Sequence, residues 1–247
     1  MRYLILSDIH GNLDALDTVL DRAAGLAYDR TLVLGDLVGY GAEPNEVVDR
    51  VIGLDPYAII RGNHDKVACG LEDSDGFNPV AQEAVRWTYD TLTAASRTYL
   101  ASLPIGPIFV DADLEICHGS PEDEDAYITS EIAALRALRM AQRPICMYGH
   151  THVPVAFRLI DDDFEMVVHA QDEETHVPIE PGFQYLINPG SVGQPRDGDS
   201  RSAFALFDNE TAYVTIYRVE YPIELAQRRI IDAGLPQALA RRLGLGR

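Results

Sequence analysis

The residues of this sequence best suited to chemistry are polar side chains that follow five separate apolar runs. They comprise carboxylates, an amide and imidazoles, and each group stands where a buried strand would end. Because open α/β sheets build their sites beyond the carboxyl ends of strands, we expect these side chains to converge. In chain order they are Asp8 and His10, Asp36, Asn63 and His64, His118, and His150 and His152.

Two of these groups have an alternating spacing. Asp8 and His10 are two residues apart, as are His150 and His152. Side chains two positions apart in an extended chain point to the same side, so each pair is expected to face one site. Taken alone, an aspartate-x-histidine pair is more often a helix cap or a surface pair, and His118 alone is more often a hydrogen-bonded histidine near a core. The ordered recurrence of all five groups favours a shared metal site.

The ligand types narrow the metal chemistry. Two carboxylates, one amide and four or five imidazoles form a mixed nitrogen and oxygen set. Such a set suits manganese, iron, zinc, cobalt or nickel and is poor for calcium. It is too large for one tetrahedral zinc ion, and it fits two metal ions that share a bridging carboxylate and lie about 3.5–4 Å apart.

The elements that must position these residues alternate in the first half of the chain. Strands are predicted at 3–6, 31–34 and 58–60, and helical patterns follow the first two. This alternation favours a parallel sheet with helices on its faces. A helical excursion is predicted at 79–103, and it could either cover the site or extend the core.

The second half of the chain has a different character. Hairpins are predicted at 155–169 and 202–219, each around an acidic turn. This half is rich in antiparallel strand, which suggests a second sheet stacked on the first within one domain. The remaining predicted elements are strands at 114–117, 145–148 and 185–187, a helix at 130–140, and a terminal helical stretch at 224–243 that is interrupted at Gly234 and Pro236.

Composition and charge limit the classes of function. The chain has 247 residues, and 39 acidic against 20 basic residues give a net charge of −19. Such a field repels phosphate backbones, so nucleic acid is not expected as a generic partner, whereas metal ions can still attract a small phosphorylated substrate. Three scattered cysteines and no apolar run long enough for a membrane span predict a cytoplasmic protein without a membrane partner. Formation of a homo-oligomer stays open.

The five motifs together resemble the series found in the calcineurin-like metallophosphoesterases. They are DIHGN at 8–12, GDLVGYG at 35–41, GNHD at 62–65, His118-Gly119 and GHTH at 149–152. A further segment, INPGSVGQPRDGD at 187–199, is similar to one in the small bacterial branch of phosphodiesterase and diadenosine-tetraphosphatase-like members. The resemblance implies an α/β fold, a four-layer α/β/β/α sandwich of two stacked mixed β-sheets with a dinuclear metal site at the strand C-terminal ends. We expect a single domain over 1–247 with a helical insertion at about 70–104.

The resemblance also implies a role for each polar group. His64 would be the catalytic residue that contacts the phosphoryl oxygens or protonates the leaving group. The cofactors would be two divalent or trivalent transition-metal ions, manganese first, with iron, zinc, cobalt or nickel as alternatives. The metal ligands would be Asp8, His10 and His152 for one ion, Asn63, His118 and His150 for the other, and Asp36 as the bridge.

The implied activity is that of a metal-dependent phosphohydrolase, either a phosphodiesterase or a dinucleoside polyphosphate hydrolase. It would hydrolyse a phosphoester or phosphoanhydride in small nucleotides or phosphodiesters by direct attack of a hydroxide that bridges the metals. A phosphomonoesterase or protein phosphatase is disfavoured, because protein phosphatases of the superfamily carry aspartate and arginine where this chain has Gly39 and Tyr40. A non-catalytic scaffold with the same fold is a third alternative, and it predicts degraded ligands that this chain does not have.

Four residues are candidates for substrate contacts. Arg196 follows a glycine-rich turn and could reach a distal phosphate, although a structural ion pair is at least as good an alternative. Asn12, Tyr40 and Tyr127 could line the substrate cleft.

Two charged residues near His64 are expected to have structural roles. Arg61 is expected to brace its loop, and Asp65 to cap or pair locally. Gly39 replaces the aspartate that supports the catalytic histidine in protein phosphatases. His64 therefore has no orienting partner that the sequence reveals.

Overall fold

The computed structural model describes residues 1–247 and contains twelve strands and eight helices. The strands are β1 Arg2–Leu6, β2 Arg30–Val33, β3 Ala58–Ile59, β4 Ile108–Phe109, β5 Leu114–Ile116, β6 Ile145–Met147, β7 Val155–Ile160, β8 Asp163–His169, β9 Glu174–Pro178, β10 Gln184–Asn188, β11 Ser202–Asp208 and β12 Tyr213–Val219. The helices are α1 Leu13–Ala23, α2 Pro44–Gly53, α3 Asn63–Ala68, α4 Pro79–Thr91, α5 Ala94–Ser102, α6 Glu131–Met140, α7 Ile223–Asp232 and α8 Gln237–Leu243. None of the helices is long and apolar enough to cross a membrane.

Side-chain alternation along the strands builds the layers. In β1, Tyr3 and Ile5 point into the space between two sheets, whereas Leu4 and Leu6 pack against the helices on the other face. Beyond the second sheet, α6 packs on β7 and β10 and contributes the buried Leu138. The order of helices, sheet, sheet and helix confirms the four-layer sandwich that the resemblance implied.

The two halves of the chain do not form one sheet each. The first sheet has the order β3-β2-β1-β11-β12-β9, and the second has the order β4-β5-β6-β10-β7-β8. In the first sheet, the parallel strands β1 to β3 are extended by β11, which pairs antiparallel with β1. In the second sheet, the parallel strands β5 and β6 are extended by β10, which pairs parallel with β6. The expectation of a parallel first-half sheet on an antiparallel second-half sheet is wrong, because β10 and β11 return to the middle of different sheets. Both sheets are mixed, as the resemblance implied.

Short elements account for the other differences from the sequence prediction. β4, β9 and α3 were not predicted, and they have only two, five and six residues, which is too short for a clear periodicity. The helical segment expected at 79–103 is two helices, because Leu92 leaves the helical region and the Thr93 side chain caps α5. The terminal stretch is also two helices, separated at Gly234 and Pro236 as expected. The insertion boundaries near 70 and 104 stay a prediction.

The outer helix α6 offers a matched pair of stability variants. Leu138 is fully buried against the second sheet, whereas Ile132 of the same helix is 83% exposed. Leu138→Ala is expected to lower the free energy of unfolding by about 2–5 kcal/mol, because it removes buried methylene groups and leaves a cavity. Ile132→Ala should change it by less than about 0.5 kcal/mol. Urea unfolding of both variants is the measurement, and equal effects would contradict the packing of α6 described above.

Candidate metal centre

Loops that follow β1, β2, β3, β5 and β6 meet at one place, although these strands belong to two different sheets. The seven ligand candidates all lie in or directly after these loops, and every one is buried. The structure thus brings together side chains from residue 8 to residue 152. The seven are Asp8, His10, Asp36, Asn63, His118, His150 and His152.

Backbone conformation, and not strand alternation, directs most of these side chains. Asp8, His10 and Asp36 have φ values of +54°, +52° and +53°. His150 and His152 lie in the same left-handed region, at +65° and +59°. Non-glycine residues seldom adopt this region, and the surrounding contacts must offset its cost. The expectation that the two spaced pairs converge through extended-chain alternation is therefore wrong, since both pairs lie in left-handed turns.

One group of ligand atoms surrounds Asp8. Nε2 of His152 lies 3.2 Å from Oδ1 of Asp8, and Nε2 of His10 lies 3.5 Å from Oδ2 of Asp36. The ligand atoms of these four residues all lie within 4.8 Å of one another. Ligand bonds of about 2.0–2.2 Å to a single ion can span such a set.

A second group shares Asp36 with the first. Nε2 of His118 lies 3.4 Å from Oδ2 of Asp36 and 3.3 Å from Oδ1 of Asn63. The ligand atoms of Asp36, His118 and His150 lie within 4.8 Å of one another. A carboxylate that belongs to both groups is what a pair of bridged metal ions requires.

Backbone carbonyl groups set the orientation of the histidine rings. Nδ1 of His10, His118 and His152 lies 3.0, 2.7 and 2.6 Å from a carbonyl oxygen. A carbonyl oxygen only accepts, so Nδ1 carries the proton of each neutral ring and Nε2 keeps a lone pair for a metal. His150 has the reverse orientation, because its Nε2 donates to the carbonyl oxygen of Asp125 at 3.1 Å and leaves Nδ1 as the ligand atom.

The contact between His10 and His152 shows why this donor set fits a metal ion. Their Nε2 atoms are only 3.1 Å apart. Both rings hold their proton on Nδ1 when neutral, so two nitrogen lone pairs face each other and repel. A cation between the rings turns this repulsion into two favourable bonds.

The pKa values of the ligand candidates reflect the same crowding. Burial would raise the pKa of Asp8 and of Asp36, but His152 and His118 respectively outweigh it, and both pKa values fall below their usual range. Burial would lower the pKa of His118, but the Asp36 charge and hydrogen bond raise it to about 10. Burial and the charge of His118 lower the pKa of His150 to about 3.

His64 lies beside the ligands and is held by aromatic rings. The ring centroids of Tyr40, Phe77 and His10 lie 4.4, 4.6 and 4.9 Å from that of His64. Its Nδ1 is buried without a hydrogen-bond partner, and burial lowers the pKa of His64 to about 4. A Cβ atom on Gly39 would lie 2.5 Å from Nδ1. No carboxylate supports this ring, as the glycine at position 39 indicated.

Asp65 has the local role that the sequence predicted. Its Oδ1 accepts hydrogen bonds from the backbone N–H groups of Leu37 and Val38 at 2.8 and 3.2 Å. Its Oδ2 accepts from the N–H of Gly62 at 3.0 Å. Burial and the charge of Asp36 raise the pKa of Asp65 to about 7. The side chain therefore ties the start of α3 to the loop that carries Asp36.

The acidic loop after β5 places the partner of His150. Arg61 donates to Glu124 through Nε and Nη2 at 3.2 and 3.0 Å, and Lys66 donates to Asp125 at 2.5 Å. These pairs hold the loop where the carbonyl group of Asp125 meets His150. Arg61 was expected to brace its own loop, and its ion pair joins that loop to the acidic loop.

A cavity of about 240 Å³ opens over the ligands. Tyr127 stacks on His150 with ring centroids 3.7 Å apart, and it forms one wall. Tyr40 and Phe77 line the cavity with His64 and Asn63. Tyr40 and Tyr127 therefore lie where the sequence placed them, and their contact with a substrate stays a prediction.

Asn12 and Arg196 have different surroundings. Oδ1 of Asn12 accepts a backbone hydrogen bond at the start of α1, and Nδ2 donates to Gly193 at 2.9 Å. Both polar groups thus have structural partners, and a substrate contact of Asn12 stays a prediction.

Arg196 forms a hydrogen bond with Gln194 and no ion pair with an acidic side chain. The structural ion pair that was the alternative role for this residue is therefore not present. The sequence gave no signal for Arg242, whose guanidinium lies 5.7 Å from the Tyr40 ring centroid, because no motif surrounds it.

Comparison with known proteins places this geometry in a family. Residues 1–212 match the family model of the calcineurin-like phosphoesterase superfamily domain. The chain belongs to this superfamily. The match includes every motif on which the resemblance rested and all seven candidate ligands, and the family is metal-dependent.

Relatives that match this metallophosphoesterase along nearly its whole length come from bacteria and archaea. A metallophosphoesterase from Sphaerobacter thermophilus is 42% identical with a TM-score of 0.86, and the match covers 100% of this chain and 99% of that one. Uncharacterized protein MJ0912 of Methanocaldococcus jannaschii is 32% identical over 98% of this chain and 97% of its own length. Hypothetical protein PH1004 from Pyrococcus horikoshii is 21% identical with a TM-score of 0.79 over 98% and 97% of the chains, which shows the fold alone.

The contacts of Asp65 predict a large effect from a residue that binds no metal. Asp65→Ala leaves three buried N–H groups without an acceptor, each of which costs about 1–3 kcal/mol. We expect the free energy of unfolding to fall by about 3 kcal/mol or more, as measured by urea unfolding. Asp75→Ala, at an exposed position, is the control and should change it by less than about 0.5 kcal/mol. Equal stability of the two variants would show that Asp65 does not hold the loop.

Proposed function

We propose that this protein is a dinuclear-metal-dependent phosphohydrolase that acts on small nucleotides or phosphodiesters. The bond it breaks would be a phosphoester or a phosphoanhydride. The observation that carries the proposal is the buried carboxylate of Asp36, which belongs to two groups of ligand atoms at once. Family membership supports the hydrolase class, and the ligand set is compatible with manganese, iron, zinc, cobalt or nickel, of which the resemblance puts manganese first.

The size of the cavity supports a small substrate. Its volume of about 240 Å³ lies just below the range of about 300–1,000 Å³ that is typical of small-molecule sites. Tyr127 and Phe77 are among the residues that line it. A small phosphodiester or the phosphate chain of a nucleotide suits such a space better than a folded protein surface.

The metal ions and the protein residues would have different tasks in this reaction. Two bound cations would lower the pKa of a water molecule between them and neutralise the phosphoryl oxygens. The carbonyl groups that bind Nδ1 of His10, His118 and His152 hold the rings in place for this task. Oδ1 of Asp36 accepts from the backbone N–H of His64 at 2.8 Å, so the bridging carboxylate also positions the start of α3. We propose that the His64 ring contacts the phosphoryl oxygens or donates a proton to the leaving group.

Two other functions find less support. The arginine and aspartate of protein phosphatases are absent at Tyr40 and Gly39, and Gly39 packs so closely on His64 that an added side chain would displace the ring. A non-catalytic scaffold has no need for lone pairs that repel one another in its core, as His10 and His152 do. A cytoplasmic location stays a prediction, and formation of a homo-oligomer stays open.

Variants of Asp36 and His64 separate metal binding from catalysis. Asp36→Asn keeps the hydrogen bond from the His64 backbone but removes the shared charge, so bound manganese per chain should fall, as measured by metal analysis. His64→Gln should keep its metal and lose turnover of bis(p-nitrophenyl) phosphate by about 10²–10⁴-fold, the usual contribution of a positioned proton donor.

The control for these variants is His176→Gln, because His176 is exposed on β9 and lies outside the centre. It should retain metal content and turnover. Equal metal loss in Asp36→Asn and His64→Gln would refute the separate roles. No turnover by the unaltered protein with manganese, iron, zinc, cobalt or nickel would favour the scaffold.

A further inference from the structure

Two arginines from distant parts of the chain lie against one aromatic ring. The Cζ atoms of Arg196 and Arg242 are 5.6 and 5.7 Å from the ring centroid of Tyr40. Arg196 lies in the loop between β10 and β11, and Arg242 lies in the last turn of α8. Tyr40 is buried, so its ring brings the two positive charges together beside the metal centre.

No aspartate or glutamate side chain forms an ion pair with either guanidinium group. Arg196 donates through Nη2 to the side-chain oxygen of Gln194 at 3.1 Å, and its Nε is buried without a partner. Arg242 donates through Nε to the backbone oxygen of Arg247 at 2.7 Å. Burial, followed by the charge of Arg196, lowers the pKa of Arg242. Two adjacent arginines without an acidic side-chain partner stand out in a chain with 39 acidic and 20 basic residues.

Backbone contacts hold the two arginines in place. The N–H of Gly198 donates to the carbonyl oxygen of Gly246 at 2.9 Å, which ties the loop of Arg196 to the segment after α8. Asp197, next to Arg196, forms a buried ion pair with Arg218. These contacts hold the backbone segments that carry the two arginines next to each other.

The arginine pair lies next to the candidate metal ligands. The N–H of Arg196 donates to the carbonyl oxygen of His152 at 3.3 Å. The Tyr40 ring centroid is 4.8 Å from that of His10 and 4.4 Å from that of His64. An anion bound by the arginines would therefore be close to a phosphoryl group at the metals.

We propose that Arg196 and Arg242 form a second anion subsite, which selects substrates with two or more linked phosphate groups. Guanidinium groups bind phosphate oxygens through paired, charge-assisted hydrogen bonds, and an anion here would also relieve the repulsion between the two cations. The metals would hold the phosphoryl group that is attacked, and the arginines would hold its neighbour. The position of the attacked phosphoryl group at the metals rests on the proposed function. The arginine subsite narrows the substrates of that function to compounds with linked phosphate groups.

The kinetic test compares a polyphosphate substrate with a single phosphodiester. Arg242→Gln should lower kcat/KM for a dinucleoside tetraphosphate by about tenfold more than kcat/KM for bis(p-nitrophenyl) phosphate, because one charge-assisted contact is lost. Arg242→Lys should show a smaller loss of this ratio. Arg241→Gln is the matched control, since Arg241 is the exposed neighbour on α8, and its ratio should not change. An unchanged ratio in Arg242→Gln, with a melting temperature equal to that of the control, overturns the proposal.

A binding test needs no turnover. Methylenebisphosphonate and orthophosphate are titrated calorimetrically into the manganese-loaded full-length protein with matched free manganese. Arg242→Gln and Arg196→Gln should weaken bisphosphonate binding by about tenfold and orthophosphate binding by clearly less. This result without any hydrolysis would leave the subsite standing and remove the proposed function. If the unaltered protein hydrolyses its substrate and the variants weaken the binding of both anions equally, the proposed function stands and the subsite is refuted.

Discussion

The repulsion among buried electron-pair donors is the constraint on which the rest of the structure depends. Nitrogen lone pairs of His10 and His152 face each other at 3.1 Å, and the carboxylate of Asp36 faces both His10 and His118. Left alone, such groups would separate or take up water. They stay together because the fold fixes the backbone on both sides of each residue. A cation is the one partner that satisfies all of them at once.

Cross-links between loops supply the restraint. The N–H of Gly193 donates to the carbonyl oxygen of Asp8, and the Ser191 hydroxyl donates to the same oxygen at 2.7 Å. The N–H of His150 donates to the Asp8 carboxylate at 3.1 Å. The loops after β1, β6 and β10 thus hold one another, although β1 and β6 belong to different sheets. The left-handed conformations at Asp8, His10 and His150 are kept by these bonds and not by local preference.

The sequence predicts which residues form the centre better than it predicts how these residues are arranged. Apolar runs followed by polar residues identify all seven candidate ligands, because buried strands must end where the chain meets the site. Extended-chain spacing could not reveal the left-handed turns at Asp8 and His10, since these depend on loops far along the chain. The sequence also does not reveal how the strands are divided between the two sheets, because this division depends on the sheets to which β10 and β11 return. Arg242 was missed for a related reason: only the folded C-terminus brings it to Tyr40.

His64 shows how the chain orients a ring without a carboxylate. Gly39 has a φ of +90°, which glycine tolerates, and its lack of a side chain leaves room for Nδ1 of His64. The space that a carboxylate would fill is therefore occupied by the imidazole ring itself. Rings of Tyr40, Phe77 and His10 then fix its plane from three sides. Packing of this kind restrains the direction of the ring but supplies no charge. The aromatic side chain that packs on His64 thus also contacts Arg196 and Arg242.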